Sequence, residues 1–242
     1  MKTTTVYWSP AAINEFKYRI NLITYPPKPI WPTLPKKVES NSNWNLWGNY
    51  RQCQAAHHKF KNVFVMPAPM TTKVTLSGGP QTPQISSDSN LWIPRSSSFE
   101  DSYAVEVDMY WHFFTEEDGV IADQTPPYMH NPTTSKGGFV VPASFDISKW
   151  FRPMPLSYTL WKGNDTLEMT EGEPAFYVNF KAKHKVVLKQ FELTQDISDF
   201  SNEMAYFKKV MPHLPLSEIY SRFARNNSNK IILKKIKKNL ID

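Results

Sequence analysis

Four polar side chains at alternate positions, Glu106, Asp108, Tyr110 and His112, are the strongest candidates for chemistry in this sequence. They interleave with Val105, Val107, Met109, Trp111 and Phe113, a period of two that predicts a strand with one apolar and one polar face. Residues two apart on a strand point the same way at about 7 Å, so Asp108 and His112 share a face. On the inside of a jelly-roll-like scaffold, such a pair joined by a second histidine forms a site for iron or zinc. That histidine would be His57, His58 or His130. The spacing matches neither the His-x-Asp of facial-triad oxygenases nor the His-x-His of cupins. The same pattern also describes the solvent-facing side of a half-buried strand.

Other clusters carry weaker signals. Cys53 and His57, four apart, would meet on one helix face as a thiolate–imidazole pair, or else Cys53 is an inert half-buried thiol. Glu171 and Glu173 offer two carboxylates for acid–base work, while Gly172 and Pro174 around them equally make a turn that enters a strand. Ser77-Gly78-Gly79-Pro80 is no phosphate loop, because Pro80 removes a donor and no Gly-Lys-Ser/Thr follows. Neither Gly-x-Ser-x-Gly, Gly-x-Gly-x-x-Gly nor His-Glu-x-x-His occurs, so the commonest hydrolase, dinucleotide and metalloprotease signatures are missing.

The excess positive charge sits at one end. Residues 222–242 hold seven Lys or Arg and one acid, which accounts for the whole net charge of +6; the other 221 residues hold 21 of each sign. A basic body face of the nucleic-acid-binding type is therefore not indicated. From Lys230, residues Ile232, Leu233, Ile236 and Leu240 fall within an arc of about 100° on a helix, with the lysines around the rest. This arc can dock on the body of the chain or on a partner; a protein partner or self-association is expected, through Ile232, Leu233 and Ile236 with Lys234, Lys235 and Lys238 beside them. An anionic membrane surface or nucleic acid is the alternative for the lysines.

The elements that must position these groups are short. Twenty prolines and 14% aromatic residues, eight of them Trp, predict a packed chain of brief strands and ordered loops. Strands are expected at Thr3 to Trp8, Tyr18 to Thr24, Lys61 to Met66, Met70 to Leu76, Tyr103 to Phe114, Leu156 to Trp161, Thr166 to Thr170, Ala175 to Lys181 and Lys185 to Phe191. Ser9-Pro10 is expected to cap a short helix, and 77–90 and 125–138 to be loop. A proline-rich arm covers 25–48, with Trp31, Trp44 and Trp47 as a recognition surface or as buried anchors of an irregular wrap. After Asp196, Phe200, Met204, Phe207 and Met211 mark a helix stripe that Pro212 ends; Ile219, Tyr220 and Phe223 mark a second. One cysteine excludes an internal disulfide and fits a reducing setting. Met1 to Trp8 has no apolar run of signal-peptide type and no 18 consecutive residues are apolar, so neither a secretion signal nor a membrane span is expected.

One run is distinctive: Phe145-Asp146-Ile147-Ser148-Lys149-Trp150-Phe151-Arg152-Pro153, then Glu171-Gly172-Glu173-Pro174 with Phe176-Tyr177-Val178. With Arg51-Gln-Cys53 and Lys61-Asn62-Val63-Phe64-Val65 upstream, it resembles a group of β-rich proteins of tailed bacteriophages, particularly those of aquatic hosts. The group has no assigned activity, so the resemblance implies no catalytic residue. It implies a phage protein, in the virion or in the host cytoplasm. The residues themselves describe a structural corner: Asp146 and Ser148 hold a turn, Trp150 and Phe151 bury it, and Arg152 is expected to pair with Glu171 or Glu173.

The reading is a mainly β chain, an antiparallel sandwich or jelly-roll-like barrel over 1–195, with a helical appendage over 196–242. Its expected role is structural or interactive without a cofactor. The alternative is a metal-dependent enzyme using His112, Asp108 and one further histidine.

Overall fold

The computed structural model describes residues 2–11, 25–34, 53–97, 99–149, 151–225 and 227–241. Side chains at 11, 108–110, 205, 207–209, 216 and 224–225 fall outside that description. So do the strand expected at Tyr18 to Thr24, the tryptophans Trp44 and Trp47, and Trp150 of the corner motif.

The chain is mainly β, with antiparallel sheets packed as a sandwich and helices at the C-terminal end. Sheet A is ordered β14 (Lys185–Gln190), β1 (Thr3–Ala11), β7 (Ser102–Phe114), β11 (Met154–Trp161), β9 (Phe139–Val140), and β6 (Trp92–Arg95) pairs with β7 beyond the end of β1. Every pair in it is antiparallel except β1 with β14. Sheet B runs β10 (Ala143–Asp146), β8 (Ile121–Thr125), β13 (Pro174–Lys181), β3 (Val63–Pro67), β2 (Lys28–Pro29). A smaller sheet C joins β12 (Thr166–Met169), β4 (Thr72–Gly79) and β5 (Thr82–Ser87). None of the three closes into a barrel among the described residues.

The period of two explains the layers. On β7, Val105, Val107, Trp111 and Phe113 point inward and are buried; on β11, Leu156, Tyr158 and Leu160 do the same. They meet sheet B across the core, where Trp111 packs edge-on against Phe176 (5.0 Å between ring centroids) and Phe113 against Phe180 (5.3 Å). Each buried ring of this kind contributes about 2–3 kcal/mol by leaving water. In β3 every residue is buried, because both faces are covered. Phe64 and Met66 enter the main core. Val63 and Val65 face an outer layer made with Tyr177 and with Ile30, Leu34 and Phe60. That layer is built by α1 (Ile30–Thr33), in the described part of the proline-rich arm, and by α2 (Gln54–Phe60), beyond the arm, both on sheet B.

The C-terminal helices α3 (Gln195–Val210), α4 (Leu216–Arg225) and α5 (Ser228–Lys238) form a further layer on the outer side of sheet A. Their apolar stripe builds a second core with Tyr7, Phe114, Phe151 and Phe191. Here the expectation for the tail is corrected. Ile232 and Ile236 are 0% exposed, and Leu233 packs beside them, so the arc is used up inside the chain's own fold. Lys235 pairs with Asp196 (3.0 Å) and Lys237 with Glu116 (2.9 Å), which ties two of the lysines to the body; Lys234 and Lys238 face solvent. The end of the chain is stitched down by Ile241 N–H donating to the Gln190 carbonyl and Glu192 N–H to that of Asn239. Among the described residues no helix is long and apolar enough to cross a membrane.

Two local expectations also change. Ser9-Pro10 starts no helix: β1 continues to Ala11, pairing Ser9 with His112 and Pro10 with Trp111. The partner β14 ends opposite Trp8, so the missing N–H of Pro10 costs no ladder bond there. The stretch 77–90 is not all loop, because β5 forms a hairpin with β4. Its polar composition reflects a strand whose side chains are mostly outside the core.

Candidate functional site

His112 is the first residue to place. It lies on the outer side of β7, but α3 and Phe151 cover that side, and the ring is only 3% exposed. Its Nε2 is 3.0 Å from the Ser201 hydroxyl, and the ring stacks on Phe151 at 5.3 Å. Its Nδ1 makes no hydrogen bond. Burial pushes the imidazole down from 6.5 to about 3, so the ring is neutral at ordinary pH. It is a packing residue between sheet and helices, and the exposed polar face read from the sequence is absent at this end of β7.

The other metal candidates lie elsewhere. His57 stacks on Trp31 (4.6 Å) and His58 is exposed on the same helix, both on the outer layer of sheet B. His130 also belongs to that side, bonded to Tyr177. The structure therefore does not bring His112 together with His57, His58 or His130; the Asp108 side chain lies outside the described residues. Among the described residues, no three His, Cys, Asp or Glu side chains gather closely enough to hold a metal ion.

His130 sits in a chain of donors and acceptors. The Met129 N–H donates to the Tyr177 hydroxyl (3.2 Å), and that hydroxyl meets His130 Nδ1. His130 Nε2 is 3.4 Å from the Thr33 carbonyl, which can only accept. The proton therefore sits on Nε2, and Nδ1 accepts from Tyr177. Burial holds the His130 imidazole below its usual value and the Tyr177 phenol above its own. Tyr128 packs edge-on against Tyr177 (5.1 Å) and Phe60 stacks on Tyr128. Both His130 nitrogens are thus engaged within the fold.

Beside this cluster, the chain passes from the edge of sheet A to the edge of sheet B, from β9 to β10, across Val141 and Pro142. A pocket of about 220 Å³ opens at this seam. Gly138, Val140 and Tyr158 form its buried part, and Tyr128, Ser135 and Phe139 its exposed part. Among the described residues, no element covers the adjoining outer face of sheet A. Phe139 pairs with Thr159 on β11, and Trp161 follows two residues on, pointing the same way. Phe139 is 57% exposed, Trp161 48%, and Phe99, whose ring lies 6.4 Å from that of Trp161, 63%. Val141 extends the strip. Two ion pairs lie near it, Arg95 with Glu106 (2.8 Å) and Lys162 with Asp101 (3.7 Å).

This strip has little signature in the sequence. Phe139 and Phe99 lie next to Gly- and Ser-rich stretches and Trp161 ends a strand whose alternation does put it outward. That alternation was the one available signal.

The corner motif is placed differently from expectation in one respect. Asp146 holds the turn by accepting from the Ser148 N–H (3.1 Å) and hydroxyl, and it pairs with Lys149 (3.2 Å). Phe151 is completely buried. Arg152, however, forms no ion pair with Glu171 or Glu173; its Nη1 lies 3.4 Å from the Tyr220 hydroxyl on α4. Glu171 instead accepts from the Tyr25 hydroxyl and Glu173 from the Thr133 N–H, both on the sheet B side. A second pocket, about 290 Å³, lies between this turn and α4, lined by Phe145, Asp146, Lys149, Ser217 and Tyr220.

No protein-family model, curated protein or solved structure matches the chain.

Proposed function

We propose that this chain is a non-enzymatic interaction protein that docks a partner on the open half of the outer face of sheet A. The observation that carries the reading is the strip of Phe99, Trp161 and Phe139, three rings each about half exposed on one side of the molecule. At about 200 Å² per ring they present roughly 350 Å² of apolar surface, in the range where a patch on a monomer marks an interaction site. Covering it releases about 8 kcal/mol before the entropic cost of association. The resemblance of the 145–153 and 171–178 runs supports a phage protein, acting in the virion or in the host cytoplasm.

Photo-crosslinking tests the docking surface. A benzophenone amino acid at Phe139 or Trp161 is expected to capture one defined partner or a second copy, and the same group at Lys230 on the opposite end of sheet A is not. Capture at Lys230 alone would move the interface to the basic helix and overturn the proposal. Mass spectrometry of purified virions and of infected cells separates the two settings.

A further inference from the structure

We infer that the seam pocket is an anchor site for one uncharged aromatic side chain, an indole above all, carried by the partner polypeptide. This rests on the interaction reading above and names what the partner must offer. The volume, about 220 Å³, lies below the roughly 300–1,000 Å³ of sites for drug-sized ligands and suits a single side chain. The walls are rings and aliphatic groups, among them Tyr128, Phe139, Val140 and Tyr158, with no Lys, Arg, Asp or Glu in the lining. A charged ligand would be desolvated there without a counter-charge. The histidine in the lining, His130, has both nitrogens engaged with Tyr177 and Thr33, so it provides no free group for a charged or reacting ligand.

Two further observations favour an indole on a polypeptide over a small free molecule. The Ser135 hydroxyl lines the pocket and makes no hydrogen bond with a described residue, so it is available to accept from an indole N–H. Phe139 belongs both to the pocket and to the exposed strip. A small aromatic molecule would fill the pocket and leave Trp161 and Phe99 in water. A partner lying across the strip covers those rings and reaches the pocket with one side chain, as buried aromatic anchors do at interfaces.

The probe is N-acetyl-tryptophanamide titrated into the full-length ¹⁵N-labelled protein. Saturating amide shifts are expected at Ser135, Gly138, Phe139 and Val140, with none from N-acetyl-alaninamide. Tyr128→Ala removes a half-exposed ring and is expected to weaken probe binding about tenfold, whereas Trp161→Ala, outside the pocket, leaves it unchanged. Absence of a saturating shift, or a response that Tyr128→Ala does not alter, overturns the inference. Partner capture separates it from the broader reading. If Trp161→Ser abolishes crosslinking from Phe139 while Tyr128→Ala does not, the docking surface stands and the anchor site falls.

Discussion

Replacing His112 with phenylalanine is expected to make the protein less sensitive to acid, and the size of the effect follows from burial. The folded imidazole titrates at about 3 and the unfolded one near 6.5. As pH falls below 6.5 the unfolded chain takes up a proton that the folded chain does not, so stability is present above 6.5 and is lost progressively down to about 3. At pH 5 the unfolded ring is about 30-fold more protonated than neutral, which costs the fold about 2 kcal/mol; by pH 3 the loss is about 4 kcal/mol. That is a large part of the 5–15 kcal/mol typical of a folded domain. Phenylalanine keeps the stack on Phe151 and loses the Ser201 hydrogen bond, at about 1 kcal/mol at pH 7.5. Urea unfolding of both proteins at pH 7.5, 6 and 5 reads the difference. All other ionisable groups are common to the two proteins, so their contributions cancel. Wild type is expected to lose about 2 kcal/mol more than His112→Phe between pH 7.5 and 5, so that the variant becomes the more stable of the two in acid. Equal losses would refute the view of His112 as a buried neutral ring.

Phe151→Ala opens a cavity between the sheet and the C-terminal helices and is expected to cost about 3–5 kcal/mol in chemical denaturation. Gly137→Ala places a methyl 2.2 Å from the Thr166 carbonyl oxygen and is expected to lower the melting temperature, through an overpacking cost of about 1–3 kcal/mol. Truncation after Asn227 removes Ile232 and Ile236 and uncovers Tyr7, Phe114 and Phe151; strong binding of a hydrophobic dye, or insolubility, is the expected outcome. Trp161→Ser touches no core and is expected to change stability by no more than about 0.5 kcal/mol in thermal unfolding.

Strong periodicity made β7, β11, β13 and the three C-terminal helices legible, since each repeats its apolar residues at the spacing of its own geometry. What failed to show in the sequence has physical reasons. Period two tells which side chains share a face but not what covers that face, so the sequence leaves His112 between a ligand in a scaffold interior and a solvent-facing residue, and gives no sign of α3 over it. The strand β8 hides because its inward residues include Gln124, a buried amide in place of an apolar side chain. In β5 the side chains largely avoid the core, so the strand has a loop-like composition. The arc of α5 was visible, but an amphipathic helix carries no sign of whether its target is another chain or its own. For the same reason exposed rings such as Phe139 cannot be told from buried ones until the neighbouring strands are placed.

The parallel pairing of β1 with β14 has a kinetic consequence. Thr3 lies beside Lys185 and Trp8 beside Gln190, so a strand near the start of the chain is flanked by one some 180 residues later. During synthesis, β1 can bond with β7 on one side only, and its other edge stays open until Gln190 and then the helices have emerged. A nascent chain in that state presents an unpaired strand bearing Tyr7 and Trp8, the kind of edge that templates misassembly. Sheet A thus has a high contact order, which makes for slow folding, because β1 must wait for a partner strand far downstream.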